Sequence, residues 1–191
     1  MLILNYSGVI VVFTPSAYRL RSGHYRRGVT ETSALDHACA SLGDPYVTQD
    51  LCTSVLCADP SEPCRTARDA PAVAAHAARL AVRNATATKG CVEATLAAHA
   101  GNATVAKGIA SCVQLYAGAV ATLQWVAKFV AEGRYRDAMD VLHAKPVIGV
   151  PGMCDGTMAA GDMEALPREN DAFIYMAMVA YAIIADMVGH Q

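Results

Sequence analysis

Between Asn102 and Gly133 the apolar residues Val105, Ile109, Cys112, Tyr116, Ala119, Leu123, Val126 and Val130 recur at alternating spacings of four and three. That repeat belongs to a helix laying one stripe against its neighbours. Asn102 stands where a side-chain cap is needed, and Gly133 where a helix end turns left-handed. Gly108 and Gly118 weaken this helix but are expected to let another element approach closely. A second helix is predicted from Asp69 to Ala98, mostly alanine, with Val73, Ala77, Leu80, Asn84, Ala87, Cys91 and Ala94 on one register and Gly101 as its stop. A third follows Pro167 and the acidic Glu169 and Asp171, runs through Phe173, Met176, Ala180, Ile183 and Met187, and stops at Gly189. Tyr135 to Ala144 is a shorter helical stretch ended by Pro146, and Val147 to Gly152 reads as a loop leading to Cys154. Four helices with short connections predict an all-α, antiparallel up-and-down four-helix bundle over residues 66–189. Ahead of it, Ser33–Ser41 and Pro45–Leu56 predict a short α-hairpin within residues 33–60, with Asp59-Pro60-Ser61-Glu62-Pro63 as loop.

Composition narrows the class. The 191 residues, 54% hydrophobic and 17% charged, suit one compact domain with a substantial core. Of 15 basic residues, Arg19, Arg21, Arg26 and Arg27 fall in the first 30 positions with no acid beside them, so the arm is basic and the body mildly acidic. The body carries no Lys/Arg stripe and no run of aromatics, which argues against a nucleic-acid partner. Residues 1–32 read as an N-terminal arm or a poor signal segment. Met1 to Phe13 is apolar, but no Lys or Arg precedes it, and Thr14-Pro15-Ser16-Ala17 is a weak cleavage zone, so a misassigned start fits equally well. Ala172 to Val188, at 17 residues with Asp186 inside, falls short of the roughly 20 needed to span a bilayer and reads as a buried helix, without a membrane role.

Seven cysteines, at positions 39, 52, 57, 64, 91, 112 and 154, exceed ordinary cytosolic usage and lack the CxxC pairs of a zinc site. Disulfides in an oxidising compartment are therefore expected. The triplets Asn84-Ala85-Thr86 and Asn102-Ala103-Thr104 are candidate N-glycosylation sites that agree with secretion, while Asn5-Tyr6-Ser7 adds nothing independent. No GxSxG, HExxH or glycine-rich phosphate loop is present, and no Cys has a His partner in its sequence context. His76 and His99 are too far apart for a helical ligand pair, so surface or ordinary packing is expected for both. The methionines of the last helix fit core filling better than an adaptable binding surface. Arg134, Tyr135 and Arg136 at a helix junction are candidate contacts, since Arg and Tyr anchor interfaces when desolvated.

Several segments also share a likeness. His37-Ala38-Cys39, then Tyr46 to Leu51 and Cys52 followed by Ala58-Asp59-Pro60, resembles the N-terminal hairpin of the plant invertase and pectin methylesterase inhibitor family. Cys112-Val113-Gln114-Leu115-Tyr116-Ala117 resembles that family's third-cysteine segment. Tyr135, Asp137, Ala138 and Cys154-Asp155-Gly156 resemble its fourth-cysteine segment, and Arg168-Glu169-Asn170-Asp171 the start of its last helix. The likeness runs from about Leu35 to Val188 and is strongest to invertase-inhibitor-like pollen allergens. It implies two structural disulfides, Cys39–Cys52 and Cys112–Cys154, each contributing about 3 to 4 kcal/mol through loop closure. Beyond that pattern, Cys57 and Cys64 flank a Pro-containing loop and are candidates for a local pair. Cys91 is expected as a buried free thiol, with an intermolecular bridge as the alternative. Pro167 stands where relatives often carry a capping Thr. Where tobacco-type invertase inhibitors carry Pro-Lys-Phe, this chain has Arg134-Tyr135-Arg136-Asp137, which makes those four residues the candidate target contacts.

The resemblance implies a secreted inhibitor, without catalysis, cofactor or metal, that blocks the cleft of invertase (beta-fructofuranosidase) or pectin methylesterase sterically. Its place would be the apoplast or cell wall, with the vacuole as alternative. A non-inhibitory extracellular or allergen-like bundle, and a redox or metal protein using the surplus cysteines, are the competing readings.

Overall fold

The computed structural model of the chain describes residues 33–43, 45–58, 64–145, 147–159 and 161–189. The basic arm with its apolar leader and Asn5 triplet, the Asp59–Pro63 loop and Pro146 lie outside the described residues. Among the described residues the chain is all-helical, with no strand. The helices are α1 (Ala34–Ser41), α2 (Gln49–Leu56), α3 (Ala70–Ala98), α4 (Ala103–Ala131), α5 (Tyr135–Ala144), α6 (Val150–Asp155) and α7 (Arg168–Gly189).

Short polar side chains set the helix starts. Ser33 and Asp36 form a capping box on α1, Ser33 Oγ accepting from Asp36 N at 3.2 Å while the Asp36 carboxylate accepts from Ser33 N. The Ser33 hydroxyl and then Arg65, 2.5 Å away, hold the Asp36 carboxyl below the usual carboxylate range. Thr48 caps α2, so this helix begins four residues later than the run from Pro45 predicts. Asp69 caps α3 at 2.8 Å with Pro71 in the first turn, where a missing N–H costs nothing.

α3 packs on α4 and α7, α5 and α6 each lie against both α4 and α7, α1 packs on α2 and α3, and α2 also meets α7. In α4 all eight residues of the predicted stripe are buried. In α3 the register differs: Val73, Ala77 and Leu80 are buried as predicted, but Ala85, Thr88 and Val92 then take the core positions, leaving Asn84, Ala87 and Ala94 exposed. A straight helix drifts away from a strict seven-residue repeat, and alanine on every face supplies no large side chain to pin the register. Cys91 is accordingly half-buried, one step off the core line, and not the buried thiol its predicted register implied. His76 is buried on α3 with Nε2 3.0 Å from the Leu56 carbonyl oxygen, which ties α3 to the end of α2.

Two glycines in α4 differ in what surrounds them. A Cβ on Gly108 would sit 2.8 Å from both the Thr157 carbonyl oxygen and Met158 Sδ, so glycine there admits the segment after α6. Gly118 faces open space and serves no close approach. The stretch expected as loop before Cys154 is instead a 3-10 turn, Val147–Gly149, running into the short helix α6. Pro151 lies in the first turn of α6, the one place in a helix where proline is tolerated. α7 extends over 22 residues, longer than the apolar run read from the sequence, and both it and α4 are long and apolar enough to cross a membrane by length and composition. Each, however, buries one continuous stripe, with Phe173, Met176, Ala180 and Ile183 on α7 packed in the core and Met187 half-buried at its end.

Candidate functional site

Three of the segments that carry the family likeness, around Cys112, Cys154 and Asn170, meet in one buried polar clasp. Tyr116 of α4 is fully buried, and its hydroxyl donates to Asn170 Oδ1 of α7 at 3.0 Å. Asn170 is 1% exposed, and its Nδ2 donates to Asp155 Oδ1 at the end of α6, also at 3.0 Å. The Tyr116 ring meets Phe173 edge-on at 5.4 Å, the preferred geometry for two aromatic quadrupoles. Next to this clasp the Cys112 and Cys154 sulfurs are bonded, with Cα atoms 4.8 Å apart. Thr157 Oγ1 lies 2.9 Å from the Gly108 carbonyl oxygen and closes the approach that Gly108 permits. Burial, then the negative charges of Asp155 and Asp171, push the Tyr116 phenol well above its ordinary pKa of 10.0. The phenol therefore stays a proton donor throughout the neutral range.

The other cysteines are placed as follows. Cys39 and Cys52 are bonded across the α1–α2 hairpin, with Cα atoms 5.6 Å apart. Cys57 and Cys64 are bonded with Cα atoms 5.1 Å apart, and Cys91 is free. Of the two sequons, Asn84 is exposed midway along α3, on the rim of a groove of about 380 Å³ that it shares with Val55, Leu80 and Met176. Asn102 is exposed in the turn between α3 and α4.

The corner between α4 and α5 is built by a glycine. Gly133 adopts φ +73°, a left-handed conformation that side chains disfavour. Its N–H bonds the Val130 carbonyl at 3.0 Å and the Arg134 N–H bonds the Phe129 carbonyl at 2.8 Å. This Schellman closure brings the residue after the glycine back over the last helical turn. Arg134 thereby lies with its guanidinium 4.5 Å from the Phe129 ring centroid, while donating to Asp137 at 2.5 Å and to Glu132 at 3.3 Å. Those hydrogen bonds, that of Asp137 first, raise the Arg134 pKa further, so its charge is permanent. Phe129 stacks at 6.1 Å on Trp125, and Lys128 Nζ sits 5.1 Å from the Trp125 ring. The result is a continuous outward ridge of Lys128, Trp125, Phe129 and Arg134, in which Trp125 is 55% exposed.

Of the four candidate contacts read from the sequence, Arg134 and Arg136 are exposed and Asp137 is half-exposed. Tyr135 is a correction: at 6% exposure its ring belongs to the core and cannot anchor a partner. It is the first residue of α5 and lies on that helix's buried face with Ala138, Met139 and Leu142. Sequence reasoning missed Trp125, the chain's one tryptophan. The available signal was its position beside Val126: it stands off the buried stripe, where a large aromatic has no core to enter.

Among the described residues, no three His, Cys, Asp or Glu side chains converge as a metal site requires. No curated protein and no solved structure matches the chain. The sequence model of one family does match, over residues 33–183, which takes in the hairpin, the clasp, the ridge and most of α7. On that match the chain belongs to the plant invertase/pectin methylesterase inhibitor family.

Proposed function

We propose that the protein is a secreted inhibitor of an invertase or a pectin methylesterase, and that it blocks its target's cleft with the α4–α5 corner of an up-and-down four-helix bundle formed by α3, α4, α5 and α7. Bonded cysteine pairs 39–52, 57–64 and 112–154 would hold that scaffold in the apoplast. The observation that carries this reading is the ridge of Trp125, Phe129 and Arg134, already held in place by stacking, ion pairs and the Gly133 closure. A preordered surface loses little side-chain entropy on association, and Trp and Arg are the residues that most often dominate interface energies. Steric blockade needs no chemistry from the blocker, in keeping with a family whose members are inhibitors.

The test is a titration against a cell-wall invertase and a pectin methylesterase at about pH 5, an acidity at which carboxylates and histidines of an interface titrate. One of the two enzymes should lose activity stoichiometrically. Trp125→Ala and Arg134→Ala should each weaken that inhibition by about tenfold or more, as interface anchors do. Full activity of both enzymes at saturating protein would leave the non-inhibitory bundle as the surviving reading.

A further inference from the structure

Asn102 has its two side-chain atoms doing different jobs. Its Oδ1 accepts from the Val105 N–H at 3.3 Å and caps α4. No described residue accepts a hydrogen bond from its Nδ2, and Asn102, Ala103 and Thr104 are all exposed. The turn that holds them is short, with the Asn102 N–H bonded to the His99 carbonyl at 2.9 Å, and Asn102 itself is extended (φ −113°, ψ 96°). The triplet Asn102-Ala103-Thr104 therefore remains presented after folding. The triplet at Asn84 differs, because it is wound into the middle of α3 with Thr86 Oγ1 bonded to the Val82 carbonyl at 2.8 Å.

We infer that Asn102 carries an N-linked glycan on Nδ2 while Oδ1 goes on capping α4, so that modification and helix start share one carboxamide without competing. In the transfer, Nδ2 loses one hydrogen and bonds C1 of the sugar, and the pyrophosphate of a lipid-linked oligosaccharide departs as leaving group with the proton. The amide keeps its carbonyl, and the cap hydrogen bond needs only that oxygen. The sugar would project from the α3–α4 turn. This inference rests on the secretory part of the proposed function, not on inhibition.

The experiment uses the full chain carried into the secretory pathway of plant cells by an added cleavable leader, compared with oxidatively refolded bacterial protein that has no glycan. Glycopeptide mapping should find a glycan on Asn102 in the plant material. Thr104→Ala removes the acceptor triplet and spares the cap, so it should melt at the temperature of the glycosylated wild type. Asn102→Ala removes both and should melt about 2–4 °C lower, as loss of a cap does in a chain of this length. A bare Asn102 in plant material that carries a glycan at Asn84 would overturn the inference. So would a glycosylated wild type that melts as low as Asn102→Ala. Either result would leave enzyme inhibition to be judged separately, on the titration.

Discussion

Single side chains decide how tightly the clasp holds. Asn170 is buried with both amide atoms paired, so removing one partner strands a polar atom in the core. Tyr116→Phe keeps the ring against Phe173 but leaves Asn170 Oδ1 unsatisfied, and should lower stability by about 1–3 kcal/mol in urea unfolding at pH 7. The same residue sets an alkaline limit. Because the folded phenol titrates above its ordinary 10.0, its contribution is intact below that pH and is lost as pH rises toward the folded value. Wild-type stability should therefore fall steeply above about pH 10, and Tyr116→Phe should show a shallower fall, measured by chemical unfolding at stepped pH. Periodicity put Tyr116 and Phe173 on buried stripes, whereas Asp155 and Asn170 were visible in the sequence only as parts of a likeness. Nothing in spacing alone says that residues 116, 155 and 170 touch, since they come from three separate helices.

At the scale of helices, the glycines make opposite predictions. Gly108→Ala places a methyl against the Thr157 backbone and should cost about 1–3 kcal/mol, since that neighbour cannot rotate away. Gly118→Ala meets open space and should gain about 0.5–1 kcal/mol from helix propensity, so paired thermal melts separate the two. At the corner, Gly133→Val forces a β-branched residue into a left-handed turn and should destabilise by about 1–2 kcal/mol. By releasing Arg134 from Phe129, it should also raise the accessibility of Trp125 to acrylamide quenching. Periodicity located α4 and α7 well, because Ile, Leu, Tyr and Phe mark their stripes. It drifted in α3, where alanine on every side leaves burial to be settled by what packs against it. Pro151 concealed α6 for a related reason, as proline forbids a helix interior and not a helix start.

For the whole molecule, covalent links join segments that the alanine-rich seams hold with few large contacts. The loop closed by Cys112–Cys154 spans 42 positions and that closed by Cys57–Cys64 only 7. In the chain-entropy picture the first restricts the unfolded chain more, by about 4 kcal/mol against about 2.5 kcal/mol. The double variant Cys112→Ser/Cys154→Ser should accordingly unfold at lower urea than Cys57→Ser/Cys64→Ser, and by more than the entropic difference if the Tyr116 clasp loosens with it. At this scale the all-helical class was legible from helix patterning. The outward ridge was not, because a surface is defined by what fails to pack, and that is known only once every neighbour is in place.

Cys91, half-buried on α3 with no sulfur to bond, gives the chain an unpaired thiol that every purification must manage. Such a thiol can attack a bridge of another molecule, displacing one of its sulfurs as a new thiol and leaving a mixed disulfide between the two chains. Old stocks should therefore darken a non-reducing gel at twice the monomer mass, whereas Cys91→Ser material should age as a single band. Anyone assaying such stocks would be measuring a mixture unless that substitution came first.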